Sequence, residues 1–496
     1  MVSPRQSLID KTRLSKSLLV AGLQCKKRLW FQVHEPEGDD SQHPPLPAFA
    51  RGKRIGAAAR EFLGDGAFID LPYFEIEERV AATQAAMLGK APYIYEASFL
   101  ADGEFVSADA LERREDGCGL IEVKGTLDVK PEHIVDAAVQ LYVLDRAGID
   151  VKRVEVMHLN RECRHPDLSN LFVRNDVTPL ARNAALTVQE LIEACVLALR
   201  GSLPVVAVGD HCSSPYKCAF MDRCWPKLPQ HHVSDLYFIA KKKVRALIQS
   251  GVERIHDLPA DFGAKGVARR QIDSVRSGRL HVEPTLRASL QRIQSPVAYL
   301  DFETVQLEVP GWPGCSPLMQ VPVQMSCHVD GAGELEHHAW LAEGASDPRE
   351  SLARALIDAC AGAETILCYS AGFEKARIAE LIALLPELAS KLQRIHDRIE
   401  DLLPIVRNNV YHPDFNGSFS LKSVLPALVP GLGYDDLKIA EGASASELLQ
   451  ALLFDAEMPA TARAKLRSEL LAYCERDTLA MVRVHERLKA LAEACS

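Results

Sequence analysis

The sequence contains no long apolar run. Residues 192–208 are the most apolar late stretch of the first half, and Glu193, Arg200 and Pro204 interrupt them. The stretch is therefore too polar to span a bilayer. The opening residues 1–6 do not begin the apolar core of a secretion signal either. We therefore expect a cytoplasmic protein without a membrane partner.

Basic charge is also scarce, because 57 Lys and Arg stand against 67 Asp and Glu, a net charge of −10. This balance excludes a coat of basic residues, but it does not exclude nucleic-acid binding, which needs only a local basic track. Residues 241–290 reverse the balance, with eleven Lys and Arg against five Asp and Glu. The reversal predicts either a phosphate track or an ordinary solvated helix face. Within it, residues 247–252 are similar to helix-hairpin-helix elements that hold the DNA backbone.

The length of 496 residues is too great for one hydrophobic core. Hydrophobic residues make up 47% and charged residues 25%, which is ordinary for a globular protein. Pattern changes divide the chain into three predicted regions: residues 1–228 with alternating helices and strands, a wholly helical basic region at 229–290, and residues 291–496. We therefore predict an α/β multidomain protein.

Two carboxylates stand two residues apart in a run that otherwise reads as a buried strand. Asp301 and Glu303 share one strand face, because strand side chains alternate. Adjacent like charges at the edge of a core are unfavourable unless a cation neutralises them. Mg²⁺ or Mn²⁺ is the expected cation, since hard divalent ions prefer oxygen ligands. Downstream, Tyr473 and Asp477 lie four residues apart on one helical face.

A second set of charged residues lies on a predicted strand, strand, helix segment between residues 95 and 145. Asp109 is followed by Glu122 and Lys124, which share one strand face. Two carboxylates can hold a metal ion that activates water, and an ammonium group stabilises an anionic transition state. Glu96 is a candidate further ligand, and the next helix offers Asp136 and Gln140.

This second set resembles the PD-(D/E)XK nuclease superfamily, particularly its RecB-like branch. The resemblance implies a restriction-endonuclease-like core and catalytic roles for four residues: Asp109, Glu122, Lys124 and Gln140. Nucleases of this branch usually carry a metal-binding His on an early helix, and the comparable residues 51–59 contain none.

Thirteen cysteines in a chain without an export signal favour a reducing compartment and metal or cluster ligation. Cys212, Cys218 and Cys224 are separated by five-residue gaps, and Cys25 lies far upstream. Zinc sites usually pair closer cysteines. The pattern resembles the iron–sulfur RecB-like nucleases, which implies that these four residues hold a [4Fe–4S] cluster. Zinc and buried free thiols remain the alternatives.

The C-terminal region resembles the DEDD 3′–5′ exonucleases of the RNase H-like fold, in their tyrosine variant. Asp301 and Glu303 match the first motif, and Tyr473 and Asp477 match the third. The second motif is Tyr369-Ser370-Ala371-Gly372-Phe373-Glu374, with Ser370 in place of Asn and Glu374 in place of Asp. The resemblance implies that Tyr473 orients the attacking water. It also implies two metal ions held by Asp301, Glu303, Glu374 and Asp477, with Asp401 as an alternative third acid.

Residues 416–426 are typical of a turn that caps a helix, with Ser420 as the predicted N-cap. Lys422 in this segment has two open interpretations. It either contacts a substrate strand or belongs to the capped helix without a further role.

Taken whole, the chain resembles a bacterial family that joins an iron–sulfur RecB-like nuclease domain to a DEDD-type exonuclease domain. We therefore expect a metal-dependent nuclease with two sites that acts on DNA with single-stranded ends, in repair, recombination or defence. One alternative is a nucleic-acid-binding adaptor in which one or both sites are inactive. Another is an RNA-processing exonuclease.

Overall fold

The structure is a computed structural model that describes residues 14–36, 47–331, 334–439 and 442–494. It is mixed α/β, as predicted. The described residues form two compact units. Unit 1 comprises the described residues within 1–226 and 308–318, and unit 2 comprises those within 227–307 and 319–496. The basic region predicted at 229–290 thus belongs to unit 2.

Unit 1 is built around one sheet. Its described strands are Leu14–Ser15 (β1), Gly66–Phe68 (β2), Tyr93–Ala101 (β3), Glu104–Arg114 (β4), Gly117–Lys124 (β5), Val151–Leu159 (β6) and Phe172–Asp176 (β7). Its described helices are Lys16–Gln24 (α1), Lys26–His34 (α2), Pro47–Leu63 (α3), Ile76–Met87 (α4), Pro131–Arg146 (α5), Thr178–Ala185 (α6), Val188–Arg200 (α7) and Met221–Cys224 (α8), with a 3₁₀ turn at Asp210–Cys212.

The sheet of unit 1 has the order β2-β3-β4-β5-β6-β7, and β1 pairs with the start of β4. Strands β3, β4 and β5 form an antiparallel meander, and β6 lies parallel to β5. A parallel connection needs a crossover, and α5 supplies it. Pro131 stands at the first turn of α5, where its missing N–H is tolerated. The crossover places the buried face of α5 over the strands that carry Asp109 and Glu122.

Unit 2 contains a second sheet and most of the long helices. Its described strands are His281–Val282 (β8), Val297–Gln306 (β9), Gln320–Asp330 (β10), Leu335–Leu341 (β11), Thr365–Cys368 (β12), Ile399–Asp401 (β13) and Val410–Tyr411 (β14). Its described helices are Lys241–Gln249 (α9), Gly266–Ser277 (α10), Leu286–Leu290 (α11), Arg349–Ala359 (α12), Gly372–Leu384 (α13), Ala389–Asp397 (α14), Leu402–Asn409 (α15), Leu421–Leu428 (α16), Gly442–Phe454 (α17) and Ala460–Ala494 (α18). Its 3₁₀ turns are Val233–Asp235, Ile255–Asp257 and Pro413–Phe415.

The main sheet of unit 2 has the order β11-β10-β9-β12-β13. Strands β11, β10 and β9 are antiparallel, whereas β12 and β13 run parallel to β9. Asp301 and Glu303 therefore lie on the central strand, with β12 on one side and β10 on the other. The strand predicted at residues 365–368 is confirmed.

Helix α18 brings the C-terminal motif to the sheet. Its buried residues recur at spacings of three and four, so one face packs against β9 and β10. Three hydrogen bonds with buried partners fix its position along the sheet, and each joins groups far apart in sequence. They are Tyr299 with His485 (2.8 Å), Gln324 with the Leu470 carbonyl (2.8 Å) and Ser326 with Thr478 (2.7 Å). This docking determines where Tyr473 and Asp477 stand.

The prediction that residues 229–290 are wholly helical is wrong at β8. This two-residue strand pairs antiparallel with β14, more than 120 residues later in the chain. Helix α10 ends at Gly278, whose φ of 64° is the left-handed conformation that favours glycine. Two residues are too few to show an alternating pattern, so the strand depends on its distant partner.

The loop after β14 packs closely on the segment before α9. Gly417 has a φ of +78°, and a Cβ at this position would overlap the carbonyl oxygen of Asp235. Its N–H donates to the Tyr411 hydroxyl over 3.0 Å. Glycine is required here for both its backbone conformation and its small volume.

Gly417→Ala should therefore lower the free energy of unfolding by about 2 kcal/mol or more, since it adds backbone strain and a steric overlap. Scanning calorimetry of the full chain would report this as a lower Tm. Gly362→Ala is the matched control, because no atom lies within 4 Å of a Cβ built there. Equal Tm values for the two variants would contradict the close packing.

Candidate functional site

Three carboxyl groups converge at the centre of the unit 2 sheet. Asp301 and Glu303 project from one face of β9, and Asp477 projects from α18. One oxygen atom from each lies within 4.8 Å of the others, and all three residues are half-buried. We call these three residues and Glu374 the carboxylate site.

Glu374 approaches the same centre from the first turn of α13. It is buried, and its Oε2 atom has no hydrogen-bond partner among the residues that the structure describes. A buried carboxylate oxygen without a partner is unfavourable unless a cation or water satisfies it. The negative charge of Glu374 also acts on Asp301. Glu374 therefore adds a fourth carboxyl group near this centre, and its side chain is one methylene longer than aspartate.

The carboxyl groups of this site hold protons more tightly than usual. Burial raises the pKa of Glu303 to about 8 and that of Glu374 to about 7. Burial, followed by the charges of Asp477 and Glu303, raises the pKa of Asp301 well above its ordinary range. Burial also raises the pKa of Asp477. Full ionisation of the site therefore requires a compensating cation.

Aromatic hydroxyl groups and one lysine surround the carboxyl groups. Lys422 Nζ donates to the Tyr473 hydroxyl over 3.0 Å. The Tyr434 hydroxyl donates to Asp477 Oδ1 over 2.5 Å, and the Cys474 thiol donates to Asp301 Oδ2 over 3.4 Å. The bonds from Tyr434 and Cys474 each occupy one carboxylate oxygen, on Asp477 and Asp301 respectively.

Lys422 lies in the first turn of α16, which begins as the sequence predicts. The Ser420 side chain accepts from the Ser423 N–H, so Ser420 is confirmed as the N-cap. The contact with Tyr473 shows that the same turn also reaches the carboxylate site. The two interpretations offered for this segment are therefore compatible.

Asp401, the alternative third acid, has a different position. Its Oδ1 caps α15 by accepting from the Leu403 N–H over 3.0 Å. The same oxygen accepts from the Ser370 N–H over 2.9 Å, where Ser370 has a left-handed φ of 70°. Asp401 thus fixes the turn that leads to Glu374, and Asp477 is the third acid at the centre.

In unit 1, β4, β5 and α5 bring the predicted residues together. Lys124 Nζ contacts Glu122 Oε1 over 2.8 Å and also pairs with Asp136. Gln140 donates to Glu122 Oε2. Asp109 Oδ2 accepts from the Val123 N–H over 2.6 Å. We call the set of Asp109, Glu122, Lys124, Asp136, Gln140 and Lys16 the lysine–carboxylate site.

Sequence reasoning missed Lys16. It begins α1, and its Nζ lies 2.9 Å from Glu122 Oε1. Burial opposes the ionisation of Glu122, but the ammonium groups of Lys124 and Lys16 lower its pKa below the usual range. No pattern in the sequence links residue 16 to residue 122, so only the fold reveals this pair.

Asp109 and Glu96 differ from Glu122 in their surroundings. Burial, followed by the charge of Glu122, raises the pKa of Asp109 to about 7. The Oε2 atom of Glu96 lies 3.3 Å from Arg79 Nη2. The backbone of Glu96 has a left-handed φ of 56°. Among the described residues, the groups of three potential ligand atoms within 4.8 Å include neither Asp109 nor Glu122. The lysine–carboxylate site is thus less prepared for a metal ion than the carboxylate site.

The four predicted cluster cysteines lie near one another in unit 1. Cys25 stands between α1 and α2, Cys212 is buried in a 3₁₀ turn, and Cys224 ends α8. Burial raises the pKa of Cys224, and the thiols of Cys218, Cys25 and Cys212 raise it further. Gln24 joins the two ends of the unit by donating to the His211 carbonyl over 2.7 Å. Cys25 is therefore close in space to the three later cysteines despite its distance from them in sequence.

A further group of potential ligands comprises His328, His337 and Glu475, whose ligand atoms lie within 4.8 Å of one another. The two imidazole rings are stacked with centroids 4.4 Å apart. His328 Nδ1 bonds to Thr478 over 2.8 Å, and His337 Nε2 bonds to Ser326 over 3.0 Å. Stacked rings direct their lone pairs along similar directions, so we interpret this group as part of the docking of α18.

A family model described as a domain of unknown function (DUF2779) matches residues 298–420. The match includes Asp301, Glu303 and Glu374 and ends before the helix that carries Tyr473 and Asp477. No curated protein matches the chain. No described helix is long and apolar enough to cross a membrane.

The raised pKa values predict that metal binding depends on pH. Carboxyl groups with a pKa of about 7 or 8 must lose protons to bind a cation, so Mn²⁺ affinity should increase as the pH rises through this range. Because the folded pKa values exceed the unfolded ones, the metal-free protein should lose stability over the same rise. The increase in Tm on adding Mn²⁺ should therefore be larger at about pH 9 than at about pH 6.

Asp301→Asn should abolish the Mn²⁺ shift, because it removes a carboxylate, and should reduce the loss of stability of the metal-free protein with rising pH, because one group with a raised pKa is gone. Glu486→Gln is the control, because Glu486 forms an exposed pair with Arg483 on the same helix. A Mn²⁺ shift of equal size at both pH values would contradict the proton linkage.

Proposed function

We propose that this protein is a metal-dependent nuclease whose carboxylate site removes nucleotides from the 3′ end of single-stranded DNA. One observation carries the proposal. Carboxyl groups from three distant segments, β9, α13 and α18, converge beside Tyr473. This concentration of negative charge destabilises the fold unless it serves to bind cations.

The residues at the carboxylate site fit divalent metal ions. Carboxylate oxygens are the preferred ligands of Mg²⁺ and Mn²⁺, and the unpartnered Glu374 Oε2 supplies one more acceptor. Asp301, Glu303, Glu374 and Asp477 would hold the ions. A pair of bound ions would supply an activated water and would stabilise the leaving oxygen of a phosphodiester.

Tyr473 and Lys422 complete the chemistry from the protein side. Lysine has only donors, so the Tyr473 oxygen accepts from Lys422, and the phenol directs its own hydrogen towards Asp477. Burial raises the pKa of Tyr473, so the phenol remains protonated at neutral pH. The ammonium group of Lys422 also offers positive charge to a scissile phosphate.

The strand order of unit 2 supports an RNase H-like fold. The order β11-β10-β9-β12-β13, with three antiparallel strands followed by two parallel ones, agrees with that fold. The central strand carries the first pair of acids, and the last long helix carries the final acid. Both positions agree with the resemblance to DEDD exonucleases.

Unit 1 supports a second proposal. The order of strands, crossover helix and parallel strand agrees with a PD-(D/E)XK core, with Asp109, Glu122 and Lys124 in the catalytic positions. Lys16, however, already supplies a cation to Glu122. This pairing favours a site that grips DNA and cuts it more slowly than the carboxylate site does.

We further propose a [4Fe–4S] cluster held by the four clustered cysteines. A zinc ion with bonds of 2.3 Å would hold sulfur atoms about 3.8 Å apart. Among the described residues, the groups of three ligand atoms within 4.8 Å contain none of these cysteines. A cluster of four irons holds its thiolates farther apart and would join the two ends of unit 1, which limits unfolding.

The nuclease proposal predicts a loss of exonuclease activity in Asp301→Asn. Removing one carboxylate ligand should lower the rate on a 5′-labelled single strand by on the order of 100- to 1,000-fold. Exonuclease action on this strand gives a ladder of products shortened from the 3′ end. Glu122→Gln should leave that ladder unchanged and should remove any cleavage specific to unit 1. Gel analysis with Mg²⁺ or Mn²⁺, on matched DNA and RNA strands, would measure both effects.

Glu486→Gln again provides the control for an exposed acid on α18. If anaerobically purified protein degrades neither DNA nor RNA, the nuclease proposal fails. Faster degradation of RNA than of DNA would favour the RNA-processing alternative.

The cluster proposal predicts that anaerobically purified protein is brown and contains iron and sulfide. Cys218→Ser should remove the colour and lower the Tm, because one of four ligands is lost. Cys118→Ser should keep the colour, since Cys118 lies in β5 and outside the cysteine group. A colourless wild type that contains zinc would contradict the proposal.

A further inference from the structure

Phe238 is an unusual surface residue of unit 2. Its side chain is 87% exposed, and its φ of 52° lies in the left-handed region that aromatic residues rarely adopt. Exposure of a large aromatic ring and a strained backbone are both unfavourable for folding. A strained backbone at an exposed aromatic residue motivates a hypothesis of function for this loop.

Hydrogen bonds to a buried glutamine of α10 hold the strained loop around Phe238. The Tyr237 N–H donates to Gln271 Oε1 over 2.8 Å, and Gln271 Nε2 donates to the Asp235 carbonyl over 2.7 Å. Gln271 is buried in α10. The Tyr237 ring meets the Phe238 ring edge to face at 4.6 Å. Phe238 is therefore a fixed aromatic surface rather than the end of a loose loop.

Unpaired positive charge follows directly along the chain. Helix α9 begins with three exposed lysines, and its first turn carries no acid. Ammonium groups in a first turn oppose the helix dipole, so they do not stabilise the helix. In the part of the chain that the structure describes, Lys241, Lys242 and Arg245 have no carboxylate partner. The surface thus combines an aromatic face with free cationic groups.

The same loop is connected to the carboxylate site by packed side chains of unit 2. Tyr237 also packs on Phe419, with ring centroids 4.9 Å apart. The Phe419 carbonyl accepts from the Tyr369 hydroxyl over 2.7 Å. Phe419 immediately precedes the capped turn of α16, from which Lys422 reaches Tyr473. The exposed aromatic ring and the site therefore belong to one rigid framework.

We propose that Phe238 stacks on an unpaired base while Lys241 and Lys242 bind phosphates of the same strand. This inference rests on the proposed nuclease function and specifies its substrate as a single strand whose 3′ end enters the carboxylate site. A ring accepts any base, since every base has a stacking face, so the surface has little sequence preference. A paired base inside a duplex offers no free face and cannot stack there.

The first test measures binding without catalysis. A fluorescent oligothymidylate is titrated with full-length protein in EDTA, so that no divalent metal contributes. Phe238→Ala should weaken binding by about 5- to 150-fold, the range for loss of one stacked base. Phe238→Trp should retain wild-type affinity, and the fluorescence of the new indole should be quenched when the strand binds. Blunt duplex DNA should bind wild type and Phe238→Ala equally.

Phe74→Ala is the matched control. Phe74 is 81% exposed, but its neighbours Glu75, Glu77 and Glu78 are acidic. The control should bind the single strand as wild type does. All variants should keep the wild-type Tm, because Phe238 makes few buried contacts.

The second test measures the charge contribution. The double variant Lys241→Gln, Lys242→Gln should reduce the slope of log affinity against log salt by about 1.4, since each lost phosphate contact on a single strand contributes about 0.7. Its affinity should fall without loss of the quenching reported by Phe238→Trp.

The outcomes separate this inference from the proposed function. If wild type shortens single strands and Phe238→Ala binds and cuts them equally well, the stacking surface is wrong and the nuclease proposal stands. If wild type neither binds nor cuts any strand, both are overturned. Equal weakening of duplex and single-strand binding by Phe238→Ala would also overturn the stacking surface. RNA bound more tightly than DNA would overturn the choice of DNA as substrate.

Discussion

The repulsion among four carboxyl groups is the constraint on which the rest of unit 2 depends. Asp301, Glu303, Glu374 and Asp477 are brought together from three segments, and burial strengthens every charge interaction among them. Nothing in their mutual interactions favours this arrangement. The sheet, the cap on α15 and the buried hydrogen bonds of α18 must therefore hold the groups in place. A divalent cation would convert the repulsion into attraction.

The two candidate sites meet the same electrostatic problem in opposite ways. In unit 1, the ammonium groups of Lys16 and Lys124 lie within 3 Å of Glu122 and neutralise most of the local charge. In unit 2, the charge of Lys422 lowers the pKa values of Glu303 and Asp477, but burial outweighs it and both pKa values stay raised. A closely paired cation stabilises an ionised site without metal, whereas acids with raised pKa values need an added cation to ionise fully. The balance of lysines thus distinguishes the two sites even though their acids look alike in sequence.

Local periodicity determined what the sequence could predict. The sequence predicts Asp301 and Glu303 on one strand face, and it predicts a helix on which Tyr473 and Asp477 lie four residues apart; the strand and the helix are both confirmed. The contacts of Lys16 and Tyr434 could not be predicted, because each depends on a partner that only the tertiary fold brings near. Short strands such as β8 could not be predicted for the same reason, since their stability comes from pairing with a strand distant in sequence.

Unit 1 is not continuous in sequence. Residues 308–318 belong to it, although they connect β9 and β10, two strands of the unit 2 sheet. Within unit 1, the buried carboxylate of Glu308 pairs with Arg51 and Arg54, and Trp312 is buried. A fragment that ends at residue 226 would lose this segment and leave both arginines without their acid. Expressing the two units as separate fragments is therefore harder than their compactness implies. An insertion or deletion between β9 and β10 would change residues of unit 1 as well as the connection between two strands of unit 2.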